Sequence, residues 1–165
     1  MQIINLEESE LTNIPWASLS PSDVHKIVQS ALLENPTVTL YHPEYGPYLQ
    51  KWLIDRRLDG SARYVHRFLR PDADDYLHDH PWDNRTICYA VGYVEEMRDT
   101  SLRVTPGSII ERLATDYHRV VFDAGPCPVT IFEHGPKINL WGFLGRDGAK
   151  IPWDEFVAET GAYRR

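Results

Sequence analysis

Two rhythms of apolar residues divide the chain. Over residues 20–35, Val24, Ile27, Val28, Ala31 and Leu32 recur at helical spacing and form one apolar stripe. Ser20-Pro21-Ser22-Asp23 leads into it, with Ser20 suited to an N-cap, Pro21 to the first helical position and Asp23 to the acid of a capping box. Asn35-Pro36 ends the helix. From Tyr48 onward, short runs rich in Val, Ile, Tyr, Phe and Thr alternate with turn residues. The pattern predicts strands over 49–54, 63–69, 86–95, 102–104, 108–112, 117–122, 129–133 and 139–144, and a short helix over 151–159. This outline is an all-β sandwich or barrel with minor helices. It assigns 1–47 to an N-terminal extension carrying the helix and 48–165 to a single β-barrel.

Composition narrows the function classes. With 42% hydrophobic residues over 165 positions, one core can form without disulfides. A formal charge of −7 lacks the basic footprint of nucleic-acid binders, so no nucleic-acid partner is expected. The two cysteines, Cys88 and Cys127, form no CxxC pair, which removes a zinc knuckle or thioredoxin-like site. Both read as reduced thiols, with Cys88 pointing into the barrel as an inert, buried group. The stretch MQIINLEESE has neither a basic nor an apolar leader region, and no run approaches the roughly 18 apolar residues of a membrane span. A cytoplasmic protein without a membrane partner is the expectation.

Seven histidines are present, at 25, 42, 66, 78, 80, 118 and 134. His25 falls in the amphipathic helix, His42 in a loop, and His66 and His134 in strands as core histidines. His78-Asp79-His80 differs, because residues i and i+2 of an extended segment share a face. Two imidazoles so placed can converge on one ion, and neutral imidazole suits Fe, Zn, Ni, Cu or Mn. Asp83 adds a carboxylate close by, and a later strand carries His118.

These residues resemble the two motifs of the cupin superfamily. His78, His80 and Gly92 match the histidine pair and glycine of the first motif in its longer form. Pro106, Gly107 and His118 match the second, whose histidine follows its glycine by eleven residues. The chain departs from the pattern at Arg85 (Asn84 in the shorter spacing), where the first motif has a glutamate, and at Leu113 and Thr115, where the second has Pro and Gly. Further stretches are similar to small bacterial and phage cupins without an assigned reaction: Lys51-Trp52-Leu53-Ile54, Tyr64 to Arg70, Leu77 to Asp83, Gly135-Pro136-Lys137, Leu140 to Phe143 and Ile151 to Phe156. The likeness spans roughly residues 48 to 157. It implies a cupin double-stranded β-helix (a jelly-roll barrel), a divalent metal on His78, His80 and His118 with Asp83 as a further candidate, and pairing into a homodimer.

Three protein ligands leave coordination positions open, unlike a closed structural zinc site. The chemistry expected is a metal-dependent enzyme of the dioxygenase type, with Fe(II) as the metal and Zn, Ni or Mn as alternatives. A metal-assisted isomerase or epimerase is its sibling, and a non-catalytic cupin that binds a small ligand or metal is the alternative from another class. Three neutral imidazoles leave the ion's charge uncompensated, which favours a small acidic substrate. Arg67, Arg70, Arg112, Tyr117 and Trp82 are the candidate substrate contacts, since arginine suits carboxylates. The facial triad of 2-oxoglutarate oxygenases is not formed, because His80 stands where that triad has a carboxylate, and no GxSxG elbow is present.

Overall fold

In a computed structural model that describes residues 3–5, 13–72 and 75–161, the chain forms twelve strands and two helices. The helices are α1 (Pro21–Leu32) and α2 (Trp153–Thr160). The strands are β1 (Ile3–Asn5), β2 (Val38–His42), β3 (Gly46–Arg56), β4 (Ala62–Phe68), β5 (Asn84–Ala90) and β6 (Tyr93–Met97). They continue with β7 (Ser101–Val104), β8 (Ile109–Arg112), β9 (His118–Val121), β10 (Val129–His134), β11 (Gly142–Leu144) and β12 (Lys150–Pro152).

Helix α1 begins where its cap dictates. Ser20 Oγ accepts the Asp23 amide at 3.2 Å while its hydroxyl donates to Asp23 Oδ2 at 2.6 Å. Its stripe of Val24, Val28 and Ala31 packs on Trp52, Val65, Ile87, Ile109, Val129 and Ile131. Burying each such aliphatic side chain contributes about 1.5–3 kcal/mol, so tertiary packing rather than length holds this helix. Trp52 Nε1 also donates to Glu34 O at 2.9 Å, pinning the far end. A charge at Val28, which is fully buried, would detach the helix from the sheet.

The large sheet runs β1-β8-β5-β10-β4-β3-β2, with α1 against its outer face. On that face Glu133 lies between Arg63 and Arg85, at 2.6 and 2.7 Å. Arg85 Nη2 donates to Trp16 O at 2.6 Å and Trp16 Nε1 to His134 O at 3.1 Å, folding the segment before α1 over the strands. The opposite wall consists of β7-β6-β9 and β11-β12. Residues 77–80 join its two pieces: His78 N donates to His118 O at 2.9 Å, and Asp79 N to Gly142 O at 3.0 Å. Between the walls, Cys88, Tyr93, Val104, Ile110 and Val120 fill part of the interior. The rest is a cavity of about 720 Å³.

Three differences from the sequence pattern have local causes. The run 86–95 is two strands, β5 and β6, broken where Val91 takes φ 57° and a Cβ at Gly92 would stand 2.5 Å from Val104 O. The run 139–144 narrows to β11, because Asn139 is committed to a loop where its Nδ2 donates to His80 O at 2.9 Å and Ala114 O at 3.1 Å. The closing helix starts at Trp153, since Ile151 pairs with Phe143 across the β11–β12 hairpin. Strand β2, on the N-terminal side of residue 48, joins the main sheet through β3. Among the described residues no helix is long and apolar enough to cross a membrane.

Candidate metal centre

Strand parity sets the centre. In the segment His78-Asp79-His80 the two rings face the cavity and Asp79 faces away, 1% exposed. Asp79 Oδ1 accepts the Gly142 amide at 2.7 Å and Oδ2 accepts Lys150 Nζ at 2.6 Å, which fastens the segment to β11 and β12. His118, the first residue of β9, bridges directly to His78. The three rings form a near-equilateral triangle, with centroids 5.2 Å (His78–His80), 4.8 Å (His78–His118) and 5.1 Å (His80–His118) apart. One ligand nitrogen from each lies within 4.8 Å of the others.

Electrostatics keep the group ready for a cation. Burial lowers the pKa of His80 well below its ordinary value, assisted by His118 and His78. Burial also lowers that of His118, against the opposing pull of Glu95. Both rings are therefore neutral near pH 7 and keep a lone pair for an ion. Their Nε2 atoms stand 2.8 Å apart, a separation at which two lone pairs require a proton or a cation between them. The residues present fit a divalent ion.

Behind His118 lies a group that the sequence pattern does not reveal. Glu95, fully buried on β6, places Oε1 3.0 Å from His118 Nδ1. At this distance the carboxylate's charge acts directly on the ring. It favours the proton on Nδ1 and leaves Nε2 for the cavity. Burial alone would push the Glu95 carboxyl up, but Arg112 and His118 outweigh it and hold it well below the carboxylate range. Arg112 grips Glu95 through Nε and Nη2, and its Nη1 donates to Thr86 Oγ1 at 2.9 Å and Asn84 Oδ1 at 3.2 Å. On the opposite side, His78 Nδ1 is 4.0 Å from Asp72 Oδ2, which also accepts the Val120 amide at 2.7 Å.

The other candidates disperse. Asp83 is 5% exposed, and its two oxygens accept backbone amides, Asn13 N at 2.8 Å and Ala114 N at 2.7 Å. It stands outside the histidine group and ties the N-terminal segment to the loop before β9. Arg67 and Arg70 are exposed and do not line the cavity, and the half-buried Tyr117 also lies outside it. Arg112 lines the cavity with its guanidinium committed to Glu95. Trp82 lines it too, stacked on His134 at 4.0 Å. Cys88 is buried, and burial raises its thiol to about 11.

Solved structures share this architecture. A cupin-like protein from Thermotoga maritima MSB8 superposes with a TM-score of 0.53 at 14% identity, over 77% of this chain and 95% of that one. The fold is that of the cupins. Fe(II)-HppE, bound to the alternative substrate (S)-1-HPP, reaches a TM-score of 0.51 at 13% identity, over 61% of this chain and 56% of HppE. A candidate mannose-6-phosphate isomerase from Ralstonia eutropha JMP134 gives 0.50 at 18% identity, over 56% of this chain and 88% of that one. No protein-family model and no curated protein sequence matches the chain. On this cupin fold the chain carries a three-histidine group able to hold a metal ion on the wall of an internal cavity.

Proposed function

We propose that this cupin is a metal-dependent enzyme of the oxygenase type that acts on a small acidic molecule. The metal would be one divalent ion, Fe(II), held by His78, His80 and His118. The carrying observation is the ligand set itself: imidazoles alone, two of them kept neutral by burial, on the wall of a cavity of about 720 Å³. An ion there would retain its full charge and open positions, and so could activate a molecule bound beside it.

The protein's own groups then set the preference. Asp72 is the sole carboxylate among the described lining residues, and burial raises its pKa. Lys51 and Arg56 add positive charge to the lining. The cavity therefore favours an anion. Tyr48, Phe68, Phe132, Phe143 and Trp141 make much of the remaining wall apolar and limit water around the reacting end. Asp72 also accepts the Val120 amide, which leaves the lining without a carboxylate dedicated to proton abstraction and weighs against an isomerase. The likeness to Fe(II)-HppE is consistent with iron but rests on the fold.

Calorimetry under anaerobic conditions on the Fe(II)-loaded protein tests the substrate class. Short carboxylates should bind, and their neutral amides should not. Equal binding of both overturns the acidic-substrate reading. Oxygen uptake on admitting air to the acid-bound protein supports turnover, whereas tight acid binding without uptake supports a binding module instead.

A further inference from the structure

The wall facing the histidine group carries a row of polar residues that crosses β10, β4 and β3. Thr130 on β10 pairs with His66 on β4, and His66 pairs with Lys51 on β3. All three line the cavity. Thr130 is 1% and His66 5% exposed, and Thr130 Oγ1 and His66 Nε2 have no hydrogen-bond partner within the protein. The surroundings do not ask for polar side chains: His66 stacks on Phe132 with centroids 4.9 Å apart and meets the edge of Phe68 at 6.2 Å. Phenylalanine and valine would fill the same space without the desolvation cost of about 1–3 kcal/mol per unsatisfied group. Both residues border the cavity, so a molecule held there is the nearest partner the fold offers them.

Their distance from the metal centre sets the size of that partner. The Phe132 ring lies 4.9 Å from His66 and 5.8 Å from His80, so one aromatic ring separates the row from the metal ligands. Lys51 Nζ sits 4.6 Å over the Tyr64 ring and adds positive potential near His66. We infer that His66 Nε2 and Thr130 Oγ1 form a second anchor, which hydrogen-bonds a neutral hydroxyl or carbonyl oxygen at the far end of the substrate. The ligand class is a short bifunctional acid whose carboxylate lies at the histidine group and whose oxygen lies several bonds away, across the face of Phe132. Both members of the pair are specificity residues, remote from the reacting end.

The anchor rests on reading the three histidines as an anion-binding metal site, and the test separates the two ideas. Zn²⁺-loaded protein, chosen because Zn²⁺ has no redox chemistry, is titrated calorimetrically with four- to six-carbon ω-hydroxy acids and with the parent alkanoates. The best hydroxy acid should bind about tenfold tighter than its parent. Thr130→Val and His66→Phe should each erase that preference while holding alkanoate affinity within about twofold, and Thr130→Ser should keep it. Without ligand, Thr130→Val and His66→Phe should melt at or above the wild-type temperature, since each removes an unsatisfied polar group. Equal binding of the two acids, or a preference that survives both substitutions, overturns the anchor. If no alkanoate binds, the metal-site reading fails, and a melting temperature lowered by both substitutions overturns the anchor as well.

Discussion

Glu95 Oε1 lies 3.0 Å from His118 Nδ1, on the far side of the ring from the Nε2 that meets His80. The carboxylate thus acts on the centre through His118 and does not touch the cavity. Glu95→Gln preserves shape and removes the charge. Metal affinity, measured by chelator competition well below the melting temperature, should fall about 10–100-fold. Stability should fall as well, because Arg112 is left buried without its counter-charge. An unchanged affinity would separate Glu95 from the metal site.

Asp83 offers the opposite test. Both of its oxygens are used by the amides of Asn13 and Ala114. Asp83→Asn cannot accept both, so stability should drop by about 1–3 kcal/mol. Metal stoichiometry should stay the same. Loss of the metal in a folded Asp83→Asn protein would make Asp83 a ligand.

On the outer face, Glu133 neutralises Arg63 and Arg85 together and is fully buried. Removing one member of such a buried set costs about 3–5 kcal/mol. Glu133→Gln should lower the denaturation midpoint accordingly, while the histidine group on the far wall keeps its metal.

Stability should also weaken in mild acid. Burial lowers the pKa of His134 to about 4, and that of His66 well below its ordinary value. An unfolded histidine titrates near about 6.5. As pH falls through that value the unfolded chain takes up protons that the folded chain refuses, so stability is lost between about pH 6.5 and 4. Each group contributes a slope of up to about 1.4 kcal/mol per pH unit. Urea denaturation of wild type and His134→Gln at stepped pH checks this, with the substitution expected to flatten the slope.

The contrast between Glu95 and the three histidines shows what the sequence could carry. His78 and His80 need only the period-two rule, while His118 joins them through the resemblance of Pro106, Gly107 and His118 to the second cupin motif. Glu95 was hidden by the turn at Val91 and Gly92. Counted along one continuous strand from Cys88, it falls on the outer face, whereas the turn resets the phase and brings it inward. Asp83 looked available because its proximity to His80 is local, while the amides that occupy it come from Asn13 and Ala114, far away in sequence. Arg67 stands on an exposed face, while Arg112 is spent on Glu95, a partnership that local spacing does not reveal.

Metal analysis of the protein purified without added metal bears most directly on the three-histidine centre. The account predicts about one equivalent of a divalent transition metal per chain, with iron dominant, and its loss in His80→Ala and His118→Ala proteins that retain the wild-type circular-dichroism spectrum. Wild-type protein that neither carries nor takes up a divalent transition metal, or histidine variants that bind it as tightly, would contradict it.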